Sequence, residues 1–274
     1  MFGRMRVLLD HCVQIWNERR PAQHAAALAY YSMFAFAPIL YVVLRIAGRV
    51  LSEPVVTETV QTILVKTLGV EVAGYVQELV ANAAMGAVGG SMLTTIISMG
   101  ALLYAATGFF VHLRRTLNSI WETQAPDTGA VRGFLIGRLL SFAMVIGLGA
   151  MLVVAVFAGA MVTLLQNLLG ISTRYQLLFT TILFGLGTGT VAVIFRMLPT
   201  ATVKWHHCLA GGAVTTLLVA VGGAVMLVYL RVSDVGNAFE AAGSLAVLLI
   251  GAYYSAQLFL AGAVFTRALG ERDG

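Results

Sequence analysis

Residues 25–44, AAALAYYSMFAFAPILYVVL, carry no charged side chain. At about 1.5 Å per residue, a helix of that length covers about 30 Å, the hydrocarbon thickness of a bilayer. Few folds accommodate such a segment other than a membrane span. Its first half is dense in small residues, among them Ala25, Ala26, Ala27, Ala29, Ser32, Ala35 and Ala37. Small side chains let a second helix backbone approach closely, which places this half inside a bundle. Pro38 lacks an N–H and crowds the carbonyl of Phe34, so a kink is expected there. Arg45 and Arg49 follow one helical turn apart, on a common face near the far end of the span.

The rest of the chain repeats the theme. Of its 274 residues 59% are hydrophobic and 11% are charged, where a soluble domain carries about 25% charge. Long apolar runs recur, and the fold class they predict is all-α: a polytopic membrane protein forming one domain over residues 1–274. Six spans are expected, at about 25–50, 92–111, 139–165, 177–198, 208–230 and 243–265. Phe2, Met5, Leu8, Leu9, Cys12, Val13 and Trp16 recur at helical spacing before the first span. That pattern predicts an amphipathic helix, on the membrane surface or against the bundle's own loops. Between spans one and two, Val56, Val60, Ile63, Leu64 and Leu68 form one stripe; Val72, Tyr75, Val76, Leu79 and Val80 form another. Two short helices capping one side of the membrane are expected from them. Residues 112–133, 199–207 and 231–242 read as polar connections, and a charged tail follows span six.

Basic residues set the orientation. With the N-terminus inside, the inner segments hold Arg4, Arg6, Arg19, Arg20, Arg114, Arg115, Arg132, Arg138, Arg196, Lys204, Arg267 and Arg272. The outer side holds Arg49, Lys66, Arg174 and Arg231, with Arg45 inside span one. Cytoplasmic loops collect Lys and Arg, so both termini are expected in the cytoplasm. The net charge of +5 is accounted for by this bias and gives no reason to invoke nucleic acid. Cys12 and Cys208 both fall on the inner side and build no disulfide framework.

Chemistry is sparse. Gly185-Leu-Gly187-Thr-Gly189-Thr sits in an apolar helix without a preceding strand or a phosphate-binding Lys, so it does not read as a nucleotide loop. Gly185 and Gly189 instead predict a close helix contact. His11, His24, His112, His206 and His207 lie at or beyond inner span ends, in no zinc-hydrolase spacing. Adjacent His206 and His207 are expected to point apart. No metal, no other cofactor and no enzymatic activity is predicted. No Asp or Glu falls within a span, which leaves a proton-coupled mechanism without an obvious carrier. Arg45, Arg49, Tyr30, Tyr31 and Gln257 are the candidate substrate-binding residues. Arg45 is a charge within a membrane helix, where a partner is the default expectation, although a snorkelling side chain would account for it as well. Gln257 sits mid-span beside Tyr253, Tyr254 and Ser255, where glue between helices is the competing role.

Several stretches resemble the YihY/virulence factor BrkB family of bacterial inner-membrane proteins. They are AAALAYYSMFAFAPIL, LRRTLNSIWET, RMLPTATVKWHHCLAGGAVTTLL and GSLAVLLIGAYYSAQLFLAGAVFTRALGE, spread from about residue 22 to 272. The resemblance implies six transmembrane helices with both termini inside, in the inner membrane. It also implies that an older ribonuclease label for the family is mistaken, and it supplies no catalytic residue. Family members commonly carry an acidic residue after the Gly-Ala of the last span; here Gly262-Ala263 is followed by Val264. Two functions are expected from residues and resemblance together. One is transport or flipping of an anionic, lipid-like amphiphile in envelope biogenesis; the other is a non-transporting membrane scaffold. The partners expected are membrane lipids, with self-association into a homo-oligomer left open.

Overall fold

The computed structural model describes residues 2–33, 35, 61, 65, 73–74, 77–78, 81, 107–123, 173–232 and 243–272. Among these, the regular structure is entirely α-helical. We number the helices α1 (Phe2–Arg19), α2 (21–33), α3 (107–120), α4 (Thr173–Met197), α5 (Trp205–Val232) and α6 (Gly243–Arg272). Three of them hold segments long and apolar enough to cross a membrane: Thr180–Met197, Trp205–Met226 and Ala246–Arg272. The expected spans at 92–111 and 139–165 and most of the cap lie outside the described residues. Within the cap segment, residues 61, 65, 73, 74, 77, 78 and 81 are helical.

Helices α4, α5 and α6 pack in series, each antiparallel to the next, and glycines set their separation. A Cβ on Gly212 would lie 2.6 Å from the Thr188 carbonyl oxygen, and one on Gly187 would lie 3.0 Å from Thr216. The backbones of α4 and α5 therefore meet here with no room for a side chain. On the other side of α5 the fit is reciprocal. A Cβ on Gly211 would lie 1.7 Å from Thr266 Oγ1, and one on Gly262 would lie 1.8 Å from Thr215 Oγ1. Thr215 and Thr266 each donate to the carbonyl four residues back, Gly211 and Gly262, at 2.7 Å. Each threonine thus satisfies its hydroxyl locally and fills the notch left by the glycine opposite. The expected contact at Gly185 and Gly189 is not where α4 and α5 touch. Among the described residues nothing lies within 4 Å of a Cβ at either, because Gly187 and the Gly211-Gly212 pair face the neighbouring helices instead.

The buried core lies toward the ends of α4–α6 that meet α1. Ala192, Phe195, Leu198, Cys208, Leu260, Ala263, Val264 and Ala268 pack there with Leu8, Ile15, Leu28, Phe110, Leu113, Leu117 and Ile120. Toward the other end Ile182, Leu183, Phe184, Leu217, Val221, Val225, Val228, Leu249 and Ile250 are exposed.

Helix boundaries correct the sequence reading in three places. The stretch expected as a loop from residue 112 is helical through 120, because Leu113, Leu117 and Ile120 recur at helical spacing and all are buried. The expected charged tail is the last turns of α6, which runs unbroken to Arg272. Helix α5 begins at Trp205, with the Lys204 carbonyl accepting from His207 N at 3.1 Å and Cys208 N at 3.2 Å.

The apolar pattern of α1 is divided between two faces. Leu8, Cys12 and Ile15 turn onto the bundle, where α1 packs against α6, whereas Val7, Leu9 and Val13 are exposed. Arg20 ends the helix in the left-handed region at φ 44°, its N–H bonded to the Trp16 carbonyl at 3.1 Å. Pro21 then starts α2, where its missing N–H costs nothing.

Candidate functional site

Three polar groupings collect at the end of the bundle that carries α1. The first joins α2 to α3. Tyr30 and Tyr31 meet edge-on with ring centroids 5.7 Å apart, and Tyr31 lies 5.2 Å from the His112 ring. His24, nearly two turns before Tyr31, lies 6.2 Å from the same imidazole. Gly108, one turn before His112, lies against the Tyr31 ring, where a Cβ would meet it at an ordinary contact distance of 3.6 Å. His112 Nε2 is buried and has no hydrogen-bond partner among the described residues, a cost that a polar ligand or water would relieve. Both tyrosines are exposed. The group offers aromatic faces, phenol hydroxyls and an imidazole nitrogen beside an open surface. This is a combination that suits the interfacial, head-group end of an amphiphile.

The second grouping is ionic and joins three helices. Arg267 on α6 donates from Nη2 to Glu122 Oε1 at 2.7 Å and from Nε to Glu271 Oε1 at 2.6 Å. Its Nη1 donates to the Ile120 carbonyl, one of those left open at the end of α3. Arg19 of α1 donates to the same Glu122 oxygen, and His11 meets Glu271 Oε2 at 2.6 Å. Glu122 sits just past α3 at φ 55°. Thr123 N bonds back to the Asn118 carbonyl at 3.0 Å and Glu122 N to that of Ser119 at 3.4 Å, a paired closure that usually places glycine at the left-handed position. The hydrogen bond from Arg267, then the charges of Arg267 and Arg19, hold the Glu122 carboxyl below the usual carboxylate range.

The third grouping fixes the turn between α4 and α5. Asn118 Oδ1 accepts from Thr200 N at 2.8 Å and from the hydroxyls of Thr200 and Thr123, each at 3.3 Å. Arg196 donates to the Val203 carbonyl, and its guanidinium lies 6.0 Å from the centre of the exposed Trp205 ring. His206 and His207 do not splay apart as expected. Their rings are 3.9 Å apart, with His207 buried and His206 exposed. Both lie in the first turn of α5.

Of the five predicted site residues, Tyr30 and Tyr31 lie in the first grouping, and Gln257 is partly buried on α6. Arg45 and Arg49 lie outside the described residues. From the sequence His24 and His112 are expected only at inner span ends, in no metal-binding spacing, and Glu122 within a polar connection. The helical spacing of Leu113, Leu117 and Ile120 is the signal that could have carried α3 through and placed His112 and Glu122. No group of three or more potential metal ligands occurs among the described residues.

Comparison with known proteins agrees with the architecture. The profile of the family described as Virulence factor BrkB matches residues 12–274. A UPF0761 membrane protein from Verminephrobacter eiseniae is 25% identical over 93% of this chain, which spans 61% of that protein. One from Vibrio vulnificus is 26% identical over 94% of this chain and 80% of its own length. One from Coxiella burnetii is 26% identical over 98% of this chain and 95% of its own length. No solved structure matches the chain. The family match takes in most of the sequence, and the chain is a membrane protein belonging to the Virulence factor BrkB family.

Proposed function

We propose that this protein moves an anionic, lipid-like amphiphile between leaflets of the bacterial inner membrane, with both termini in the cytoplasm and without enzymatic turnover. The observation that carries the reading is the uneven packing of α4–α6. Their ends near α1 are closed by glycine–threonine contacts, while apolar side chains toward the other end are exposed. The apolar faces exposed there, beside an α5–α6 contact that continues at Gly222 against Leu258 and Tyr254, leave apolar walls for an acyl chain. Tyr30, Tyr31 and Gln257 supply uncharged polar contacts, and Arg45 and Arg49 supply a guanidinium fork suited to phosphate.

The test is flipping in vesicles. Reconstituted protein is expected to let dithionite quench the inner-leaflet pool of a fluorescent anionic lipid, and Arg45→Lys to slow this at unchanged folded yield. Quenching no faster than in protein-free vesicles, with protein correctly inserted, rejects the reading. The close packing of α5 on α6 favours a second reading, a non-transporting scaffold for envelope assembly, and that result would leave the scaffold ahead.

A further inference from the structure

Helix α1 presents two parallel stripes. Leu8, Cys12, Ile15 and Arg19, spaced four, three and four apart, face the bundle: Leu8 and Ile15 are buried, Cys12 packs on the core and Arg19 bonds Glu122. Beside it runs a second stripe, Arg6, Leu9, Val13 and Trp16, spaced three, four and three, with Arg20 just past the end of the helix. Leu9 is 53% exposed and Val13 58%, Arg6 and Arg20 are exposed, and Trp16 straddles the two stripes. An exposed apolar strip with an arginine at each end is costly in water, and α6 already occupies the other face.

We infer that this second stripe rests on the membrane surface at this end of the bundle and that Arg6 and Arg20 bind the phosphates of anionic phospholipid head groups. Charge selects the occupant. Two guanidiniums flank two aliphatic side chains and a tryptophan, the composition that settles a helix at the boundary of head groups and acyl chains. Glu18 and His11 turn away from the stripe, and Asp10, one turn after Arg6, stands at its edge, so the two arginines outnumber the one acid beside them. Location agrees as well. Helix α1 is held to α6 at the end of the bundle where exposed Trp205 and Lys204 also lie, aromatic and basic residues of the kind found at interfaces. The inference is independent of whether the protein transports anything.

The test is an environment-sensitive fluorophore on Val13→Cys, in a chain carrying Cys12→Ser; buried Cys208 escapes the label. Gln14→Cys, exposed on another face, is the wet reference. In nanodiscs containing phosphatidylglycerol, quenching by acrylamide at position 13 is expected to fall about twofold relative to phosphatidylcholine alone. Position 14 is expected to stay wet in both, and Arg6→Gln with Arg20→Gln to abolish the difference. Arg6→Gln alone, remote from the turn at Arg20, carries the test if the double variant does not fold. Equal protection in the two lipids overturns the assignment to anionic head groups. Position 13 as wet as position 14 throughout overturns contact with the membrane. Protection that appears in detergent and grows with protein concentration assigns the stripe to a second copy of the chain instead.

Discussion

Glu122 occupies a left-handed backbone position that glycine fills more readily, at a conformational cost of about 1–2 kcal/mol. Its carboxylate, shared by Arg19 and Arg267, is what a glycine could not supply. Because the folded carboxyl holds its proton less tightly than an unfolded one, its stabilisation is complete above the ordinary carboxylate pKa of about 4.3. It is lost as pH falls through the lower, folded value. Glu122→Gln is therefore expected to melt below wild type near neutrality. The two melting temperatures should converge on acidification, as thermal unfolding in detergent would show; a gap independent of pH would remove the ionic explanation. Asn118 makes a second prediction. Asn118→Leu removes the shared acceptor of Thr200 N and two hydroxyls, and should cost about 1–3 kcal/mol in the same assay. Neither residue stood out in the sequence, because their partners lie 82 positions away at Thr200 and 145 away at Arg267.

Helix contacts were half legible. That α4 and α5 meet through glycine could be read from composition, but which glycines do so depends on rotation about each helix axis. A uniformly apolar helix gives little sign of that rotation, since any face can point at lipid. Gly185 and Gly189 fit the spacing rule yet meet nothing among the described residues, while Gly187 between them makes the contact with α5. Substitution can separate the two kinds. Gly211→Ala drives a methyl into Thr266 and should destabilise by about 1–3 kcal/mol, whereas Gly223→Ala and Gly185→Ala, with nothing within 4 Å among the described residues, should be neutral. Equal loss at all three would mean that helix propensity or lipid contact, rather than the α5–α6 fit, sets the outcome. The length of α3 was missed because its charged residues, Arg114 and Arg115, were given more weight than the buried stripe beneath them.

Across the whole molecule, antiparallel α4–α6 and the docking of α1 on the last turns of α6 put residues 2 and 272 at the same end. Reporters fused before residue 2 and after residue 272 should therefore read the same compartment, and one inserted within residues 233–242 the opposite one. Agreement of all three would refute the arrangement. The three spans among the described residues were plain in the sequence from length and apolarity alone; the joining of α1 to the last turns of α6 was not, because it depends on ion pairs between segments far apart. That joining has a consequence for biosynthesis. Glu271 is polymerised 260 residues after His11, about 13 to 50 seconds later at ordinary translation speeds. For that interval the first helix emerges from the ribosome with its future resting place unmade. Both apolar stripes then have to be sheltered by lipid or by the insertion machinery, and synthesis of the last turns of α6, rather than emergence of the first helix, times the closing of this end.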